Sequence, residues 1–149
     1  MTAAVTVSRN DAPARVLALM VAANGRIDDW EIRMLEELRA WDRLGVDPQR
    51  FQALAEEGLA QLRGRLRDRV LLAHADRRYV DGLLAQVSDT RERLTVCRLA
   101  AAAITADGRV TADERLLFDH VLDTWNINHR MIADAILAER AGERATGHH

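Results

Sequence analysis

The sequence predicts an all-α fold, and three observations carry the prediction. Ala, Leu, Arg and Glu dominate the 149 residues, with only two prolines and eight glycines to interrupt them. The dominant types lose little conformational freedom in a helix. A stretch near the N-terminus recurs later: Ala23-Asn24-Gly25-Arg26-Ile27 aligns with Ala106-Asp107-Gly108-Arg109-Val110, displaced by 83 positions, and the same displacement pairs Glu31 with Glu114. In each copy a helix-start signature follows the glycine, Asp28 with Glu31 and Thr111 with Glu114. At that spacing a capping side chain and a glutamate satisfy each other's backbone N–H groups. Together these specify a compact bundle of about seven helices with an internal two-fold pseudo-repeat.

The first helix opens at Asp11 with Pro13 in its first turn, and Val16, Leu19, Met20 and Ala23 recur at helical spacing. Gly25 is expected to stop it, because glycine adopts the left-handed conformation that closes many helices; Gly108 serves the second copy in the same way. From Asp28 a second helix carries Trp30, Met34, Leu38 and Trp41 along one face. Asp47-Pro48, a cap followed by proline, opens the next, whose Phe51, Leu54, Leu59, Leu62 and Leu66 keep helical period. Gly58 and Gly64 weaken that helix. Asp76-Arg77-Arg78 reads as a junction before a short helix of Val80, Leu83, Leu84 and Val87. A further capping box, Asp89 with Glu92, starts the helix of Val96, Leu99, Ala103 and Ile104. In the second copy Leu117, Phe118, Val121, Leu122 and Trp125 follow Thr111, and Asn128 caps a last helix through Met131, Ile132, Ala135 and Ile136. No composition shift marks a second domain, so one domain is expected over residues 11–141, with repeat units 11–60 and 90–141 and tails at 1–10 and 142–149.

Composition excludes several classes of function. A formal charge of −2, from 21 basic and 23 acidic residues, leaves no field that draws the whole molecule to nucleic acid or an anionic membrane. The single cysteine, Cys97, permits no internal disulfide and lies in an apolar run, where a thiol behaves as a small hydrophobe. The longest apolar run, Leu99 to Ile104, is far short of the ~20 residues of a membrane-spanning helix. Met1 to Asn10 lacks the basic flank and hydrophobic stretch of a secretion signal. The expectation is a soluble, cytoplasmic protein without direct membrane insertion. No serine, cysteine or glycine-rich motif supplies a nucleophile with its base or a phosphate cradle, so a non-catalytic protein is expected.

The candidate site is the pair of acidic turns. Asp107-Gly108-Arg109-Val110 followed by Glu114 has the spacing of the second half of an EF-hand loop, and Asn24, Gly25, Ile27 and Glu31 match it in the first copy. A complete EF-hand is excluded, because its early chelating positions fall on Met20 and Ala22, and on Ala103 and Thr105. The paired turns do resemble those of the tellurite-resistance TerB-like family, small helical domains with two A-D-G-x-[IV]-x-x-x-E turns, and the resemblance runs from about Val16 to Ile136. This chain departs from the pattern at Asn24, where the family carries aspartate. The resemblance implies that the turns gather on one surface and bind a divalent cation, calcium foremost, without an organic cofactor. The ligands would be Asp107 and Glu114, with Asn24 and Glu31 if the repeats pack face to face; Asp28 and Asp113 add to the acidic density. It also implies a role in bacterial stress response through protein partners, including peripheral association with membranes through such a partner.

A plainer reading stands beside that one. Glu31 and Glu114 are explained as capping-box members, the glycines as helix ends, and acids near a helix start are favoured by its dipole. The alternative function is accordingly a metal-independent helical adaptor for protein–protein interaction. Arg63, Arg65, Arg67 and Arg69 form the one basic stretch, read as a solvated face, with a single tyrosine near to stack a base. His74, His120 and His129 lack ligand spacing and are assigned to packing or surface. Trp30, Trp41 and Trp125 follow apolar stripes and are expected in the core.

Overall fold

The computed structural model describes residues 11–23, 27–61, 74–106, 108 and 110–146. Every regular element among them is helical: α1 (Ala12–Val21), α2 (Asp29–Glu37), α3 (Ala40–Leu44), α4 (Pro48–Gln61), α5 (His74–Ala85), α6 (Thr90–Ile104), α7 (Ala112–Trp125) and α8 (His129–Thr146).

The helix starts follow the local chemistry of the sequence. Asp47 Oδ1 accepts from the Arg50 N–H at 2.7 Å, and Asn128 Oδ1 from the Met131 N–H at 2.9 Å, so both side chains satisfy donors that a helix start leaves open. At Asp89 the expected reciprocal box does not form. Its carboxylate caps the Arg91 N–H at 3.3 Å, one position earlier than the box requires. Asp11 occupies the N-cap position of α1 but makes no side-chain cap bond; it is buried and takes the Arg50 guanidinium at 2.6 Å, tying the first helix to the fourth.

Three boundaries differ from the sequence expectation. The helix from Asp28 is not continuous: Arg39 sits in left-handed conformation (φ 57°) and separates α2 from α3, so Trp41 belongs to a different helix from Met34. α5 runs without interruption through Asp76-Arg77-Arg78, where a junction was expected. The last helix continues to Thr146, through residues read as tail. Gly25, Leu62, Gly64, Leu66 and the basic stretch Arg63 to Arg69 lie outside the described residues, as do residues 1–10 and 147–149.

α1 is the centre of the molecule. All of its residues except Arg15 are buried, more than an amphipathic stripe requires, and a helix apolar on every side belongs inside a fold. It packs chiefly against α4 and α6 and also meets α5 and α7. α4 comes close enough that a Cβ on Gly58 would lie 3.0 Å from Leu19 Cδ1. The glycine read as a weakness of that helix is the residue that permits the approach. Trp125 is 6% exposed and donates its indole N–H to the Leu84 carbonyl at 3.3 Å, while Trp41 packs on Phe51 with ring centroids 5.0 Å apart. Trp30 does not join the core. It is 59% exposed with the Arg33 guanidinium 5.6 Å above its ring, because α2 turns its second position outward.

Candidate functional site

The starts of α2 and α7 define the site. Asp28 and Thr111 are both extended, with ψ of 170° and 160°, the backbone that aims an N-cap side chain back along its helix. Asp28 Oδ1 accepts from the Glu31 N–H at 2.9 Å, and Glu31 Oε1 accepts from the Asp28 N–H at 3.0 Å. In the second copy Thr111 Oγ1 accepts from the Glu114 N–H at 3.1 Å. Glu114 Oε1 there accepts from both the backbone N–H (3.0 Å) and the hydroxyl (3.1 Å) of Thr111. Both capping boxes expected from the sequence are therefore complete.

Capping boxes ordinarily sit at the surface, yet Glu31 and Glu114 are each only 3% exposed. The two carboxyls lie close enough to interact across the junction of the two helix starts. Burial is the main cause that raises the Glu31 pKa, to about 8; the Asp28 backbone bond opposes the shift, and the bond and charge of Glu114 reinforce it. With its pKa raised to about 8, the Glu31 carboxyl keeps its proton at neutral pH.

Of the six candidate ligands, the structure thus brings Glu31 and Glu114 together. Asp28 is half-buried and committed to its cap, and Asp113 lies in the first turn of α7. Asn24 and Asp107 lie outside the described residues. Among the described residues no group of three or more His, Cys, Asp or Glu gathers as a metal site. Calcium takes six to eight oxygens, more than two carboxyls supply.

Two features were not anticipated from sequence. His120 Nε2 meets Asp81 Oδ1 at 2.7 Å and joins α7 to α5; no spacing rule connects residues on separate helices. An open groove of about 380 Å³ lies between α6, α7 and α8, with Ile104, Phe118, Ile132 and Ile136 along it and Arg115 and Asp119 on its rim. Cys97 is fully buried and its thiol is pushed up to about 12 by burial, which removes it as a nucleophile. No described helix is long and apolar enough to cross a membrane.

The fold and site define a helical bundle with a buried carboxyl pair at the meeting point of two capped helix starts. Comparisons with protein-family models, curated proteins and solved structures find nothing that matches this chain.

Proposed function

We propose that this chain is a non-catalytic, TerB-like interaction module whose acidic turns respond to a divalent cation, calcium foremost, and that it acts through protein partners in a stress response. One observation carries the reading: the glutamates of the two repeated turns, 83 positions apart in sequence, are both buried and close enough for Glu114 to raise the Glu31 pKa. Packing of the turns face to face is what a shared site for both copies requires. Glu31 and Glu114 would be its inner anchors, and Asp107 and Asn24 the natural source of further oxygens. The bound cation would supply positive charge that replaces the Glu31 proton. Its binding is therefore expected to release that proton and to strengthen as pH rises past the Glu31 pKa of about 8.

Calorimetry with calcium, magnesium and manganese in two buffers of different ionisation heat, at pH 6.5 and pH 8.5, tests this. The expected result is binding with proton release, tighter at the higher pH, and a gain in melting temperature. Absence of heat and of any thermal shift at both pH values would overturn the cation and leave the metal-independent adaptor. Asp107→Asn separates the two versions further, since it should abolish partner binding only if a cation organises the surface.

A further inference from the structure

The groove between α6, α7 and α8 is separate from the acid pair, and buried members of the core, Ile104, Phe118 and Ile132, help to line it. Its walls are apolar, from Ile104 on α6, Phe118 on α7 and Ile132 and Ile136 on α8. Three large apolar side chains, Trp30, Val110 and Leu137, are exposed among the described residues, and one of them lines this groove. Val110, 45% exposed, lines it just before α7. Leu137, 60% exposed, is not part of the lining but follows the lining residue Ala133 by one helical turn, which places it at the flank of the groove. Such clustering on one face marks an interaction surface, whereas isolated surface leucines carry no message.

The rim indicates the occupant. Arg115 and Asp119 lie one turn apart on α7, are 79% and 60% exposed, and touch only loosely, at 3.9 Å. In a two-fold dimer a patch meets itself, so each charge needs its opposite on that same patch. With two copies of α7 antiparallel across the axis, Arg115 of each copy faces Asp119 of the other, and both are satisfied. The apolar part is self-complementary in the same sense, a projecting Leu137 beside a groove. A net charge of −2 offers little long-range repulsion to oppose contact. We infer that the α6–α7–α8 groove is a self-association face, on which a second copy of this chain docks with Leu137 in the groove and Arg115 paired to Asp119 across a two-fold axis. This inference is independent of the cation.

Sedimentation equilibrium and light scattering of the full chain, from micromolar to millimolar concentration, give the test. The unmodified protein should populate a dimer. Arg115→Glu and Asp119→Arg should each weaken it by about tenfold or more, because like charges then face one another across the axis. The double variant R115E/D119R should return to near the original affinity, and Leu137→Glu should abolish the dimer. Circular dichroism confirms that each variant is folded, as expected for exposed positions. A monomer throughout the range, single reversals without effect, failure of the double variant to recover, or a dimer that survives Leu137→Glu would each overturn the inference.

Discussion

Glu31 is the residue whose chemistry departs most from its type. Folding raises its pKa from 4.5 to about 8, chiefly by burial, so the stability it contributes is fully present below 4.5 and is lost as pH climbs through 8. Glu31→Gln keeps an oxygen for the Asp28 N–H and an N–H for Glu114 without a titrating proton. The variant should therefore show a flatter melting temperature between pH 5 and pH 9. Above the Glu31 pKa it should be more stable than the unmodified protein, by on the order of a few kcal/mol. Thermal melts across that range check it, and parallel pH profiles for the two proteins would remove the acid pair as the cause. The glutamates themselves were legible in the sequence, because a capping box is a local pattern. Their burial against each other was not: nothing within four residues of Glu31 records that Glu114 will lie opposite.

At the scale of elements, local signals located helix starts better than helix ends. Asp28, Asp47, Thr111 and Asn128 all cap the helices expected of them, since a cap is decided by one side chain and the next three backbone N–H groups. Arg39 breaks the second helix without glycine or proline, and no local rule reaches that break. Gly58 illustrates the converse. By propensity it weakens α4, yet it lets α4 approach α1 until a Cβ would stand 3.0 Å from Leu19. Gly58→Val should destabilise the protein by about 1–3 kcal/mol, as overpacking a filled core does, despite removing a poor helix former. Chemical denaturation measures this. A neutral or stabilising result would show that Leu19 has room to move aside.

For the whole molecule, the ion pairs that join distant helices set how stability responds to acid. Glu139 on α8 accepts from Arg98 on α6 at 3.2 Å and from Arg43 on α3 at 3.1 Å. Burial pushes its carboxyl up, but the hydrogen bonds and charges of the two arginines outweigh this and hold it below the usual value. The depressed pKa means that the stability from Glu139 is present above the unfolded 4.5 and is lost as pH falls through the folded value. Glu139 and Glu31 therefore act in opposite directions on either side of mildly acidic pH, where the molecule should be most stable. Glu139→Gln should flatten the acid limb of that profile while leaving the alkaline limb in place. A melting curve that keeps its acid limb in the variant would assign that limb to other carboxylates.

The sequence by itself determined the helical class, the position of most helix starts and the identity of the glutamates at the two repeated turns. Each of these depends on contacts within one turn of chain, through capping geometry, glycine and proline backbone restrictions, or a 3.6-residue apolar period. Only the tertiary structure decided which faces meet: that α1 is buried on all sides, that Trp30 faces solvent while Trp125 does not, and that Glu31 lies against Glu114. Those outcomes arise from close packing of helices far apart in the chain, and the same local pattern is compatible with several such arrangements. Its consequence at the site is a change of chemical character, from two surface caps to two buried carboxyls, of which Glu31 keeps its proton at neutral pH.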